Sequence, residues 1–353
     1  MTDYKKTIEE LILNILREGG SDLHLGAGRV PVIRVFGELI FLTKYAVLTQ
    51  EDLKNILNEI LSKEEITEFM KNHELDFSYD FRGEVRLRGN AFFQKGLISM
   101  VLRVVPKVKT FKELNLPDIL GNLALKKQGF FLVVGPVGHG KSTTLSAMVN
   151  YINQKQTKNI VTIEDPVEYV FTPDKSLINQ REVGLDTQDF STALKSVFRE
   201  DANVIMIGEM RTADTIATAV TAAETGHLVL STLHTNNAVQ TIDRIIDSFP
   251  GNQQEQIRSQ LAVSLLGIFS QRLIPRITGG LVPAYELLLN NKAVANLIRE
   301  KRTHEINIVI ETGSESGMID LNHSLLELIR AGEISIDDAF QFSFNPQGLE
   351  RML

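Results

Sequence analysis

The stretch FFLVVGPVGHGKSTTL, residues 130–145, decides the fold of this chain. An apolar run ends in a glycine-rich turn, and a Lys-Ser pair then opens a segment of helix-compatible composition. This strand, loop and helix together carry the full G-x-x-x-x-G-K-[ST] pattern of a phosphate-binding loop. The alternative is a glycine turn beside a surface lysine. The strand-like run before the loop, the complete loop pattern and the helix-compatible segment after it together weigh against this alternative.

Each part of the loop has an expected task. Gly135 and Gly140 let the backbone curl so that successive N–H groups point at phosphate oxygens, and the next helix adds its dipole. Lys141 supplies positive charge for the β- and γ-phosphates, and the Ser142 hydroxyl is a ligand for Mg²⁺. His139 is bulky for such a loop, but its backbone N–H stays available. The residues predicted to bind nucleotide are Gly135, Pro136, Val137, Gly138, His139, Gly140, Lys141, Ser142 and Thr143.

Composition limits the possible classes of protein. A chain of 353 residues favours two domains, and it contains no apolar stretch near the ~20 residues that span a bilayer. The absence of cysteine excludes disulfides, thiolate zinc sites and a cysteine nucleophile. A net charge of −7 argues against a protein that coats nucleic acid. The N-terminus lacks the apolar core of a signal peptide, so we expect a cytoplasmic protein without membrane insertion.

Two domains are predicted, residues 1–109 and 110–353. The first opens with an amphipathic helix, because Ile8, Leu11, Ile12 and Ile15 recur at helical spacing before Gly19-Gly20. Short β-type runs and further helical patterns follow, which indicates an α+β unit. Two prolines between residues 105 and 120 mark a short, semi-rigid linker.

One strand of the first domain carries paired arginines. In GEVRLRGNAFFQ, residues 83–94, alternation places Arg86 and Arg88 on the same face. Spacing alone favours a solvated strand face. The alternative is an arginine pair that reaches a phosphate bound by a neighbouring subunit, because guanidinium is a planar donor fork that keeps its charge. Arg103, in the next strand-like run, can join them.

The second domain has the pattern of a parallel sheet between helices. The runs KNIVTIEDP, NVIMIGEM and HLVLSTLHT are apolar on both faces, and their polar residues come at the carboxyl ends, where functional residues of such sheets gather. Glu164 is expected to polarise an attacking water, and Glu209, at the Walker B position, to hold Mg²⁺. His234 is interpreted as a sensor of the γ-phosphate. The alternative for each acid, taken singly, is a purely structural role in which it caps a helix or forms an ion pair.

We expect the rest of the chain to have a mechanical role and not a catalytic one. Residues 242–275 show helical apolar spacing broken at Pro250-Gly251, and LVPAYELLL, residues 281–289, suggests a strand. The final FNPQGLERML, residues 344–353, is predicted to be a mobile tail.

Four motifs together resemble the type IV pilus retraction ATPases, the PilT-type members of the secretion ATPase superfamily. GPVGHGKSTT is similar to their Walker A motif and NIVTIEDPVEYV to their acidic "Asp box". NVIMIGEMR resembles their Walker B motif, and TAAETGHLVLSTLHT their "His box". The resemblance covers nearly the whole chain.

This resemblance implies a RecA-like α/β P-loop ATPase domain after a PAS-like α+β domain, assembled as a homohexamer. ATP and Mg²⁺ are the implied cofactors. The implied activity is a motor that retracts a type IV pilus, working on an inner-membrane platform protein from the cytoplasmic side. Arg86, Arg88 and Arg103 lie on strands that resemble the family's nucleotide-contacting strands, and which of them makes the contact stays open.

The sequence favours retraction over three other functions. A pilus-extension or type II secretion ATPase typically has a long extra N-terminal region and a cysteine-bound zinc insert, which this sequence lacks. AVANLIRE, residues 293–300, resembles the retraction motif AIRNLIRE, although Val294 replaces isoleucine and Ala295 replaces arginine. Thr212 stands where the family usually has Asp.

A nucleic-acid motor is disfavoured by the acidic balance, and a non-hydrolysing regulatory subunit by the intact site residues.

Overall fold

The chain divides into two compact units, residues Met1–Pro106 and Lys107–Leu353. The computed structural model describes residues 3–35, 37–83 and 85–353. Among these residues, every helix is too short or too polar to cross a lipid bilayer.

The described residues of the N-terminal unit form a six-stranded antiparallel sheet and three helices. The strand order is β3-β2-β1-β6-β5-β4. The apolar face of the first helix buries Ile8, Leu11, Ile12 and Ile15, and Asp3 caps its first turn by accepting from the Lys6 N–H. This α+β arrangement agrees with the PAS-like domain that the resemblance implies. Its elements are α1 (Tyr4–Arg17), β1 (Asp22–Gly26), β2 (Val32–Val35), β3 (Glu38–Phe41), α2 (Gln50–Ile60), α3 (Lys63–Asn72), β4 (Glu74–Phe81), β5 (Val85–Gln94) and β6 (Leu97–Val104).

The C-terminal unit has a seven-stranded sheet of order β13-β12-β7-β11-β10-β8-β9. All neighbours pair in parallel except β12 and β13, which are antiparallel. Its strands are β7 (Gly129–Val134), β8 (Asn159–Glu164), β9 (Leu177–Glu182), β10 (Val204–Ile207), β11 (Leu228–Leu233), β12 (Leu265–Pro275) and β13 (Leu281–Leu289).

Helices accompany this sheet, and β7, β10 and β11 are buried along their whole length, as a covered parallel sheet requires. The unit is therefore the expected RecA-like α/β fold. Its helices are α4 (Ile119–Ala124), α5 (Lys141–Lys155), α6 (Phe190–Val197), α7 (Ala213–Glu224), α8 (Ala238–Asp247), α9 (Gly251–Ser264), α10 (Lys292–Arg299), α11 (Ile306–Thr312), α12 (Leu321–Arg330), α13 (Ile336–Phe342) and α14 (Pro346–Met352).

Two expectations for this unit are wrong. Residues Leu265–Pro275 were expected to continue a helical pattern, but they form β12, because pairing with β7 and β13 outweighs the local periodicity. The tail is not free either. It forms α14, which starts with Asn345 accepting from the Gly348 N–H, and its Leu349 side chain is fully buried in a cluster with α12 and α13.

Candidate functional site

The phosphate loop connects β7 to α5 at the carboxyl edge of the sheet. Gly135, Gly138 and Gly140 all have positive φ, the backbone that curls the loop, and α5 begins directly at Lys141. Helix N-terminal N–H groups therefore face the inside of the loop, and their partial positive charge suits an anion.

Lys141 begins a chain of polar contacts across three strand ends. It is buried (7% exposed), and its Nζ donates to the Pro136 carbonyl at 2.8 Å and contacts His234 Nδ1 at 3.2 Å. Because an ammonium only donates, His234 Nδ1 accepts, which leaves its proton on Nε2. That Nε2 lies 3.4 Å from Glu209 Oε2, and Glu209 also pairs with Arg211. Burial lowers the pKa of Lys141.

Glu164 ends β8 and is only 4% exposed. Its carboxylate accepts from Thr162 Oγ1 at 2.6 Å and from Gln180 Nε2 at 3.2 Å, and the Glu168 N–H lies 3.4 Å away. Burial raises the pKa of Glu164, because the charged form loses solvation. A fixed, desolvated carboxylate of this kind can accept a proton from water more readily than an ordinary surface glutamate.

These groups surround one cleft of about 410 Å³. Of the residues predicted from sequence, the cleft wall includes Val137, Gly138, Gly140, Lys141, Ser142, Thr143, Glu164, Glu209 and His234. The other three loop residues, Gly135, Pro136 and His139, are described by the structure but are not part of the wall.

The oxygen donors in the cleft fit a magnesium ion. Ser142 and Glu209 offer a hydroxyl and a carboxylate, which are hard ligands of the kind that Mg²⁺ prefers. Within the described ranges, no three His, Asp or Glu side chains are grouped so that they could hold a metal alone. A magnesium site built from one or two protein ligands and substrate phosphates needs no such group.

Sequence reasoning missed three side chains that hold the site in place. Gln180, on β9, donates both to Glu164 and to the Tyr169 carbonyl at 2.7 Å. The Tyr169 hydroxyl lies 2.8 Å from Thr143 Oγ1, so the segment after β8 contacts the loop. Gln271, on β12, accepts from Thr144 Oγ1 at 2.6 Å. Gln180 and Gln271 lie outside the four motifs, and β12 itself was not predicted. Tyr169 lies within the NIVTIEDPVEYV motif, which gave it no role.

The three candidate arginines belong to the N-terminal unit, so they lie outside the set of residues that forms the cleft wall. Arg86 and Arg88 are on β5, and Arg88 stands directly opposite Arg103 of β6. Arg103 Nε donates to Asp22 Oδ1 at 2.7 Å, and Asp22 is a buried acid that belongs to no motif of the sequence. Arg103 therefore already has a carboxylate partner within its own unit.

Comparison with known proteins places the chain in a family. Residues 4–315 match the family described as Type II/IV secretion system protein. The chain is 42% identical over 333 residues to the type IV pilus retraction ATPase PilT of Pseudomonas aeruginosa, covering 94% of this chain and 96% of that protein. It is 40% identical over 347 residues to the type IV pilus ATPase PilU of the same organism, covering 98% and 91%.

A solved structure agrees over almost the full length. The crystal structure of the pilus retraction motor PilT with bound ADP superposes with a TM-score of 0.91 at 46% identity, covering 98% of this chain and 99% of that one.

Proposed function

Because this chain belongs to the type II/IV secretion system protein family, we propose that it is a Mg²⁺-dependent ATPase whose hydrolysis powers retraction of a type IV pilus. The observation that carries the proposal is the continuous contact from Lys141 through His234 to Glu209 in one cleft with Glu164. It is supported by the full-length similarity to a retraction motor that binds ADP.

In this proposal each side chain has one role in hydrolysis. The loop N–H groups and Lys141 bind the β- and γ-phosphates, and Ser142 and Glu209 hold the metal. Mg²⁺ bound there neutralises charge on the phosphate oxygens. Glu164 orients the attacking water and takes its proton, which its raised pKa favours. We expect His234 to register loss of the γ-phosphate, because it touches both Lys141 and Glu209.

A motor also needs a second subunit. We propose a homohexamer in which Arg86 and Arg88 reach the nucleotide of a neighbour, whereas Arg103 is occupied by Asp22. Hydrolysis would then turn one domain against its neighbour. The hexamer would pull pilin subunits out of the fibre at the cytoplasmic face of the inner membrane, in contact with the pilus platform protein, without entering the bilayer or binding nucleic acid.

Two departures from the family pattern are compatible with this function. Thr212 caps α7, and its hydroxyl accepts from the Thr215 N–H, so it performs a task for which Asp and Thr are both suited. Ala295 lies on the buried side of α10 at 9% exposure, with Val294 and Ile298. The small alanine side chain therefore fits this buried face, and the position carries no positive charge.

The test is steady-state ATP hydrolysis with Mg²⁺ by the purified chain, with subunit mass measured in the same buffer. Glu164→Gln and Glu209→Ala should bind nucleotide but lose about 10²-fold or more in kcat. Glu255→Gln is the matched control, because Glu255 is exposed on α9 and outside the cleft. Nucleotide binding by a wild-type hexamer without turnover would refute the motor and favour a regulatory subunit.

Retraction itself is tested in cells. The chain should restore surface motility to bacteria that lack their retraction ATPase, and Glu164→Gln should not. Restoration of pilus extension or of protein secretion instead would assign the ATPase to those alternatives, which the full-length pilus relatives disfavour.

A further inference from the structure

Among the residues that the structure describes, β12 has no neighbouring strand beyond Ser270 on the side of β7. The pairing of β12 with β7 runs from Leu265 to Ser270, because β7 ends at Val134 and the phosphate loop begins there. Backbone N–H groups farther along this edge need another acceptor. For Leu273 that acceptor is a side chain of the phosphate loop.

His139 provides the acceptor. The Leu273 N–H donates to His139 Nδ1 at 2.9 Å. The ring also packs edge-on against Phe342 at the end of α13, with 6.3 Å between ring centroids. Gly138 and Gly140 line the cleft, but His139 between them does not. The His139 side chain contacts β12 and α13 instead.

The backbone of the same residue is held by β12 as well. Gln271 Nε2 donates to the His139 carbonyl at 2.9 Å, while its Oε1 accepts from Thr144 Oγ1. The loop is thus fastened to β12 at two points, one through the backbone and one through the ring.

We propose that His139 is a positioning residue, whose neutral ring braces the phosphate loop against β12 without touching the nucleotide. The brace is a property of the fold by itself. Its expected effect on nucleotide affinity rests on the function proposed above.

The brace requires one protonation state. Nδ1 accepts only when it carries no proton, so the imidazolium cannot accept the Leu273 N–H. The charged groups that face the ring are Arg272 of β12 and Lys141 of α5, both positive, and Phe342 of α13 is uncharged. Burial, then Arg272 and Lys141, lower the pKa of His139, which keeps the ring neutral near neutral pH. The brace is therefore present above this lowered pKa and is lost as the pH falls through it.

The experiment compares His139→Ala, which removes the acceptor, with His139→Asn, whose Oδ1 can accept near the Nδ1 position but does not titrate. Hydrogen exchange is measured on peptides spanning Leu273 in the nucleotide-free protein. Exchange of the Leu273 amide should be about fivefold or more faster in His139→Ala, the equivalent of one hydrogen bond, and close to wild type in His139→Asn. His304→Asn is the control, because the His304 side chain is 77% exposed.

The pH profile separates a brace from a space-filling ring. As the pH falls from about 8 through the lowered pKa of the His139 ring, wild-type exchange at Leu273 should accelerate relative to His139→Asn at each pH, because only the wild-type ring gains a proton. A constant ratio, or unchanged protection in His139→Ala, would overturn the brace.

ADP affinity at about pH 8 then tests the positioning role. His139→Ala should bind about fivefold more weakly, and His139→Asn should recover most of the loss. Equal affinity of wild type and His139→Ala, despite lost protection, would overturn the positioning role. If the wild type binds no ADP, the proposed function fails, while the exchange data still decide the brace.

Discussion

Gly135 is the position where the phosphate loop should tolerate a side chain least. It has φ +146°, and a Cβ built there would lie 2.4 Å from the Gln271 carbonyl oxygen. That oxygen is backbone of β12, which is paired with β13, so it cannot move aside alone. Gly138, three residues along the same loop, has φ +81° and open space around its Cβ position.

The comparison of Gly135→Ala with Gly138→Ala isolates the contact with β12. Gly138→Ala should cost about 1 kcal/mol in the free energy of unfolding, the strain of one L-residue in left-handed backbone. Gly135→Ala combines a nearly glycine-only conformation, about 3 kcal/mol, with the clash against Gln271, so the total should exceed 3 kcal/mol. If the loop shifts to relieve the clash with Gln271, the cost should appear as weaker binding of ADP and not as a lower free energy of unfolding.

Urea unfolding and ADP titration of both variants measure the two possible costs. We expect the summed cost to be at least about 2 kcal/mol greater for Gly135→Ala, equivalent to more than a tenfold difference in one equilibrium or the other. Equal costs for the two variants would refute the contact between the loop and β12, and with it the arrangement of Gln271 described above.

Further predictions concern two buried carboxyls and the C-terminal helix. Burial raises the pKa of Glu286 to about 7, so the folded state is stabilised by the protonated form below the ordinary 4.5 and loses that stability as the pH rises to about 7. In Glu286→Gln the side-chain oxygen can still accept the Ala238 N–H, but it does not titrate. As the pH rises from 4.5 to about 7, urea unfolding should show that the free energy of unfolding of Glu286→Gln increases by about 3 kcal/mol relative to wild type. A difference that stays constant with pH would contradict the burial of a carboxyl group there. Because burial raises the pKa of Glu164, the acidic limb of the kcat profile should lie above pH 4.5, and a limb at or below that value would exclude Glu164 as the base. Leu349→Ala should lower the free energy of unfolding by about 2–4 kcal/mol, whereas Leu353→Ala, at an exposed position, should change it little; equal small effects would mean that α14 is not packed.

Much of the fold was predictable because local patterns and tertiary structure agree. The strands after the phosphate loop are buried on both faces, and their continuous apolar composition reflects this directly. The buried stripe of α1 was equally visible in the helical spacing of its apolar residues. The loop residues and the acids at strand ends were found because parallel strands bring their carboxyl ends to one edge.

The misses have a different origin. The segment of β12 has an apolar run whose periodicity does not separate strand from helix, so pairing with β7 and β13 decided it. The tail forms a helix because Leu349 finds a pocket between α12 and α13, a contact made by residues distant from it in the chain.

The sequence by itself determined that this chain has a phosphate loop, a parallel sheet behind it and polar groups at the strand ends, since these depend on neighbouring residues and strand period. Only the tertiary structure decided which side chains meet. The contacts of His234 with Lys141 and Glu209, and of His139 with Leu273, join residues 25 to 134 positions apart in ways that no local pattern encodes. Packing of distant elements sets these distances, and with them the burial that shifts the pKa of Glu164.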